Sequence, residues 1–131
     1  MSSKSKADPL PDDLHPQAEV GFRLFDQGAY YRAHNHLETA WQDTPGPHGD
    51  LYQGVLQIGI AYYHIERGNY RGAVKMFQRG QANLEALQEQ ILGLNVKQLR
   101  DEARQVEKLL RKLGPEGIGQ LGKKAFPPLP R

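Results

Sequence analysis

Apolar residues recur along most of the chain at intervals of three and four positions, which is the spacing of amphipathic helices. Glycine or proline interrupts this pattern at several points, where we expect helices to end. The pattern predicts five helices, at residues 17–27, 30–42, 50–67, from 70 to between 88 and 92, and 96–113. The third of them is apolar on most sides, which is typical of a central helix. We therefore predict an all-α fold.

Both ends of the chain depart from the helical pattern. Residues 1–16 contain three prolines among serines, lysines and aspartates, and residues 114–131 are rich in glycine and proline. We expect a flexible N-terminal tail, a helical domain at 17–113 and an extended C-terminal tail. Residues 127–131 have the composition of a polyproline ligand, but a pattern this short does not by itself indicate recognition.

Part of the helical pattern occurs twice. The spacing Gly-x-Tyr-x-x-Ala, followed four residues later by a large apolar residue, begins at Gly28 and again 40 residues later at Gly68. Each copy joins two helices through a tight glycine junction, so the helices must fold back as a hairpin. This arrangement resembles the hairpins of tetratricopeptide repeats, although their usual period is ~34 residues. We predict two such hairpins closed by the fifth helix.

Composition excludes several classes of site. The chain has no cysteine, which rules out disulfides, zinc–thiolate centres and thiol nucleophiles. Serine occurs only at positions 2, 3 and 5, so a serine–histidine–aspartate triad is excluded as well. We find no apolar run of the ~20 residues that a membrane span needs, and no signal peptide. These observations predict a cytoplasmic protein without a membrane segment.

The charge pattern does not favour nucleic acid. The formal net charge is only +2, which gives no general attraction for a polyanion. Acidic residues accompany the basic positions that line one side of the fifth predicted helix, which are Lys97, Arg100, Arg104, Lys108 and Arg111. We interpret this side as a solvated helix face and expect no nucleic-acid partner.

The chemically versatile side chains are concentrated on the second and third predicted helices. His34, Glu38 and Trp41 follow one another at i, i+4 and i+7, which places them in one line along a helix. Gln57 and His64 share another line on the third helix. Our hypothesis is that the two lines face each other and form one polar site between the helices.

Three interpretations of this cluster are open. It is a structural network that satisfies partly buried polar groups, a binding site for a small polar ligand or a protein partner, or a metal centre. In the third case His34, Glu38 and His64 would form a two-histidine, one-carboxylate set, as in metal-dependent hydrolases and oxygenases. The chain has no catalytic motif of known mechanism, so its sequence does not decide whether it is an enzyme.

The same residues carry a family resemblance. The signature of the domain of unknown function family 309 resembles the motif Leu24-Phe25-x-x-Gly28-x-Tyr30-x-x-Ala33-His34-x-x-Leu37-Glu38-x-x-Trp41. Later blocks are similar to the family's further motifs, so the resemblance extends over residues 19–113. It implies a compact all-α prokaryotic domain without an assigned reaction. The family usually has an acid after the motif histidine, where this chain has Asn35, so a mechanism with two carboxylates is not supported here.

Overall fold

The computed structural model describes residues 13–131, so most of the predicted N-terminal tail lies outside the described residues. This part of the chain contains five α-helices and one short pair of antiparallel strands, which confirms the all-α class. None of the helices within it is long and apolar enough to cross a membrane. The elements are α1 (Pro16–Asp26), α2 (Tyr30–Asp43), α3 (Pro47–Glu66), α4 (Tyr70–Glu85), β1 (Gln90–Ile91), β2 (Leu94–Asn95) and α5 (Val96–Gly117).

Local chemistry explains where the helices begin. At α1 the ring nitrogen Nδ1 of His15 accepts the backbone N–H of Gln17 at 3.0 Å and so caps the helix. The helix α3 starts at Pro47, three residues before the predicted start at Asp50. Proline has the φ angle of a first helical turn and needs no N–H partner there. The loop between α2 and α3 is therefore shorter than predicted.

The end of α4 differs from the prediction. The helix stops at Glu85, whereas its apolar pattern predicted an end between residues 88 and 92. Leu92 and Gly93 instead have positive φ angles of 51° and 83° and form the turn between β1 and β2. Ile91, one of the apolar residues that suggested a longer helix, is instead buried from β1, because a strand also buries alternate side chains.

The core is built around α3, which packs against α2 on one side and α4 on the other. Two glycines allow α3 and α4 to approach closely. A Cβ on Gly54 would lie 2.5 Å from Leu84 Cδ2, and one on Gly80 would lie 2.8 Å from Ile58 Cδ1. Successive helices are therefore packed neighbours, whereas the likeness of the two hairpins to tetratricopeptide repeats stays a prediction.

The C-terminal segment contradicts the prediction of an extended tail outside the helical domain. The helix α5 is kinked at Gly114, where φ is +71°, and a short 3₁₀ turn follows at Ile118–Gln120. Beyond it the chain returns to the bundle and buries Leu121, Phe126 and Leu129. The glycine- and proline-rich sequence does not reveal this packing, because the partners of these apolar residues are helices far away along the chain.

Candidate functional site

A row of aromatic rings crosses the edge where α2 meets α3. The rings of Tyr31 and His34 on α2 stack with centroids 6.3 Å apart and planes at 18°. Tyr31 also lies 5.4 Å from the ring of Tyr63 on α3, which in turn lies 6.1 Å from the ring of His64. The guanidinium carbon of Arg67 is 5.7 Å from the centroid of Tyr63. We refer to these five residues as the aromatic strip.

Tyr31 is the most exposed aromatic ring of the aromatic strip. It is 57% exposed, although its ring stacks on that of His34 and contacts the tilted ring of Tyr63. Among residues 13–131, the only other large apolar side chain that is extensively exposed is Leu109 on α5, at 42%. The aromatic strip is therefore a place where the fold leaves aromatic surface in contact with water, which is a common property of binding surfaces.

Helix geometry explains why these residues come together. Tyr31 and His34 are three positions apart on α2, and Tyr63 and Arg67 are four positions apart at the end of α3. Residues at these spacings lie on the same side of a helix. Because α2 and α3 pack against each other, the two sides meet at their common edge.

Tyr31 is a site residue that sequence reasoning missed. The repeat offered a signal for it, since the equivalent position in the second copy is Arg71. A position that accepts arginine in one copy is a surface position, so packing does not explain a tyrosine there. Combined with the histidine three residues on, this contrast indicates an exposed aromatic pair.

Glu38 and Trp41 continue along α2 away from the aromatic strip. Glu38 is partly exposed and takes part in no side-chain hydrogen bond or ion pair within residues 13–131. Trp41 is partly buried and lines a separate cavity of about 380 Å³ beside Thr44, at the junction of α2 and α3. Ten residues of helix, or about 15 Å, separate Trp41 from Tyr31. Trp41 is therefore not part of the aromatic strip.

Gln57 faces α4 rather than α2. The side-chain amide of Asn83 donates a hydrogen bond to Gln57 Oε1 at 2.6 Å, and Gln57 is only 9% exposed. Gln57 therefore does not face the predicted polar line on α2, so the part of the hypothesis that placed Gln57 in one site with His34 is wrong. The physical reason is that α3 has a helix on both sides, so a polar position in its pattern does not show which neighbour it faces. A site that joins His34 with His64 stays a prediction.

The metal-binding set that the sequence suggested is not assembled. Among residues 13–131, no three histidine, aspartate or glutamate side chains lie close enough together to hold a metal ion. His34 Nδ1 lies 3.4 Å from Asn35 Oδ1, and His64 faces the junction of α3 and α4. The geometry gives no support to a metal-dependent hydrolase or oxygenase that uses these two histidines with Glu38.

His64 forms a small network with Asn69, the N-cap of α4. Asn69 Oδ1 accepts the backbone N–H of Gly72 at 2.9 Å, which turns the amide nitrogen of Asn69 toward His64 Nδ1 at 3.4 Å. Since the amide nitrogen donates, Nδ1 accepts, and the neutral ring carries its proton on Nε2. Desolvation by partial burial also lowers the pKa of His64, because it disfavours the charged ring.

We expect His64 to reduce the stability of the protein as the pH falls. Its pKa is lower in the folded chain than in the unfolded chain, so the unfolded chain binds the proton more tightly below about pH 6.5. Thermal unfolding between about pH 7.5 and about pH 5 should therefore show a smaller loss of melting temperature for His64→Gln than for the wild type.

Asn69→Asp is the matched variant for this titration. Aspartate keeps the cap but presents a carboxylate to the ring, which favours the protonated histidine. The loss of melting temperature at low pH should shrink or reverse in this variant. An identical pH dependence in the wild type, His64→Gln and Asn69→Asp would contradict the role given to this network.

Three of the six basic residues of α5 form ion pairs within the helix. Lys97 and Arg104 both contact Asp101, at 3.0 and 3.6 Å, and Arg111 contacts Glu107 at 2.9 Å. Paired and exposed side chains of this kind are typical of a solvated helix face.

A larger cavity, of about 920 Å³, is lined by none of the predicted site residues, although it shares Pro45 and Asp50 with the cavity beside Trp41. It opens between the start of α3, at Pro47 and His48, and the turn between β1 and β2, at Leu92 and Gly93. Asp13 lines it as well. No spacing in the sequence indicates this cavity, because its walls come from separate segments of the chain.

Comparison with protein families confirms the resemblance over part of the chain. Residues 19–76 match the family described as Domain of unknown function (DUF309). The matched residues contain the motif on α1 and α2 and the block around Arg67-Gly68-Asn69, whereas the block at residues 93–99 lies outside them. No curated protein matches the chain. The family match therefore supports a domain type and assigns no reaction.

Proposed function

We propose that this chain, whose residues 19–76 match a family of unknown function, is a binding module that recognises an acidic segment of a partner protein at its aromatic strip. The proposal keeps His34 and His64 from the site expected from the sequence. It leaves out Gln57 and Trp41, whose contacts lie elsewhere in the fold. Binding is favoured over catalysis because the aromatic strip offers rings and a cation but no assembled acid–base pair.

The exposure of Tyr31 is the observation that carries this proposal. A tyrosine that is 57% exposed contributes little to the core, yet its ring is held between His34 and Tyr63. Stacking fixes the ring before a partner arrives, so little side-chain entropy is lost on binding. Tyrosine and arginine are also the residue types that most often dominate the energy of protein interfaces.

The charges at the two ends of the aromatic strip determine in which direction a partner segment would lie along it. Arg67 stacks on Tyr63 and forms no salt bridge within residues 13–131, so the edge of its guanidinium can bind a carboxylate. Glu38 lies one turn beyond His34 at the opposite end and would repel one. We therefore place the acidic residue of the partner near Arg67 and an apolar residue over Tyr31.

An open surface favours a protein segment over a small molecule. Small-molecule sites are concave and bury most of the ligand, whereas Tyr31 is more than half exposed. A protein segment can cover such a surface and remove the ring from water. The aromatic strip spans two helices, which suits a short segment lying across them.

Peptides selected from a random displayed library on the whole chain test this proposal. We expect the selected peptides to combine aspartate or glutamate with a neighbouring apolar residue. Isothermal titration with a synthetic copy should show at least about tenfold weaker binding for Tyr31→Ser and for Arg67→Ala, the loss typical of hot-spot residues.

Leu109→Ser is the matched control for these variants. It removes an exposed apolar side chain from α5, away from the aromatic strip, and should leave the affinity within about twofold. Selected peptides without acidic residues, or wild-type affinity in Tyr31→Ser, would show that the aromatic strip is not the proposed site.

A further inference from the structure

Residues 126–131, at the end of the chain, lie on the bundle in the manner of a bound peptide. The ring of Phe126 stacks face to face on that of Tyr62, with centroids 4.7 Å apart and planes at 5°. Its other ring contact is with Tyr30, at 6.1 Å and 70°. Leu129, three positions later, is only 3% exposed. Two apolar side chains at a fixed spacing therefore anchor the segment.

Asp26, at the end of α1, holds the same segment through both of its carboxylate oxygens. Its Oδ1 accepts the backbone N–H of Leu129 at 2.8 Å, and its Oδ2 forms a salt bridge with Arg131 at 3.0 Å. The backbone N–H of Asn95 donates to the carbonyl oxygen of Pro130 at 2.9 Å. Backbone and side-chain groups of the segment are thus recognised together, as in peptide-binding sites.

The composition of the segment lowers the cost of breaking its polar contacts. Three of its six residues are prolines, which have no N–H to donate and restrict the chain to an extended shape before it docks. The ion pair is accessible to water, since the Arg131 and Asp26 side chains are 52% and 28% exposed, and such pairs contribute little to stability. Release therefore leaves few backbone groups without partners.

The connection to α5 keeps the segment nearby. Gly119 and Gly122 precede it, and a Cβ on either would meet nothing within 4 Å, so packing does not fix their conformation. Lys123 forms a salt bridge with Glu66 at 2.7 Å and donates to the carbonyl oxygen of Gly28 at 2.7 Å. A segment tethered in this way has a high effective concentration at its site.

We propose that residues 126–131 are an intramolecular ligand, and that the face they cover is a second binding site. The site accepts segments of other proteins that have an aromatic residue, a leucine three positions later and an arginine two positions after that. In the free chain residues 126–131 occupy the site, so a partner must displace them. This surface is separate from the aromatic strip, and neither proposal depends on the other.

Binding of a fluorescent hexapeptide with the sequence of residues 126–131 to the whole chain tests the inference. The wild type should bind it weakly, because its own end competes. Full-length Phe126→Ala loosens the intramolecular ligand and should bind the hexapeptide at least about tenfold more tightly. Adding Asp26→Asn to that variant should weaken the binding by about tenfold. A hexapeptide with alanine in place of its phenylalanine should bind to none of these proteins.

Circular dichroism separates release of the segment from unfolding of the domain. Phe126→Ala should keep the helix content of the wild type. If it unfolds, the segment is an integral part of the core and the inference is overturned. Equal binding of the hexapeptide by the wild type and Phe126→Ala, or binding that ignores Asp26→Asn, would overturn it as well. The exposed variant Lys124→Ala should bind as the wild type does.

Discussion

Replacing Tyr62 with alanine should lower the free energy of unfolding by about 3–5 kcal/mol, the range for removing a large ring from a core. Tyr62 is 1% exposed, and its ring joins α3 to four other parts of the molecule through contacts with Phe25, Tyr30, Phe77 and Phe126. The cavity left behind cannot close without moving several elements at once. Urea unfolding followed by circular dichroism measures the change.

Removing only the hydroxyl group of Tyr62 should affect the free energy of unfolding differently from removing its ring. It is buried and has no hydrogen-bond partner within residues 13–131, and burial raises the pKa of Tyr62 well above its usual range. Tyr62→Phe should therefore leave the free energy of unfolding unchanged or raise it by up to about 1 kcal/mol.

Tyr52→Phe is the matched control for the hydroxyl. The oxygen of Tyr52 accepts the backbone N–H of His15 at 3.1 Å, so its removal should cost about 1 kcal/mol. Tyr62→Phe being the more destabilising of the two would contradict this account of the core.

Gly49→Ala should also destabilise the protein, by about 3 kcal/mol, which is the upper end for overpacked sites. A Cβ at this position would overlap the backbone carbonyl oxygen of Thr44, at the end of α2. A backbone atom cannot move aside as the end of a flexible side chain can. The junction between α2 and α3 would have to shift, which thermal unfolding would report as a lower melting temperature.

Gly119→Ala provides the control for the effect of the added methyl group. A Cβ there meets no atom within 4 Å, and the residue does not have a positive φ angle. The free energy of unfolding should stay within about 0.5 kcal/mol of the wild-type value, as at most surface positions. Equal losses in the two glycine variants would show that the overlap with Thr44 is not the cause.

Periodicity predicted the helices well because burial imposes it directly on the sequence. The repeat indicated packing positions at Ala33, Leu37, Ala73 and Phe77, and each of these is at most 1% exposed. Helix ends were predicted less accurately. The turn at Leu92 depends on a positive φ angle in a leucine, which no propensity suggests. Its apolar neighbours therefore suggested one more turn of helix.

The packing of the C-terminal segment was not predictable from local sequence. Phe126 stacks on Tyr62, which lies 64 residues earlier in the chain. Glycine and proline around Phe126 indicate an irregular backbone, and an irregular backbone can lie in water or on a core. Only the three-dimensional arrangement of α1, α2 and α3 shows that an apolar face is available to it.

The candidate site was predicted in part. Helix spacing predicts that His34, Glu38 and Trp41 follow one line along α2, a relation that depends only on helix geometry. The neighbour that each side of α3 faces depends on packing. Gln57 was therefore predicted to face α2, although it contacts Asn83 on α4. The role of these residues in binding stays a prediction, now centred on the exposed ring of Tyr31.

Mapping a selected acidic peptide onto the isotopically labelled protein by nuclear magnetic resonance tests the central claim, that the aromatic strip is the binding site. We predict that the largest changes in amide chemical shift occur at Tyr31, His34, Tyr63 and Arg67, and that Tyr31→Ser abolishes them. If the largest changes instead occur at His48 and Leu92, around the 920 Å³ cavity, the claim is contradicted and the binding site lies at that cavity.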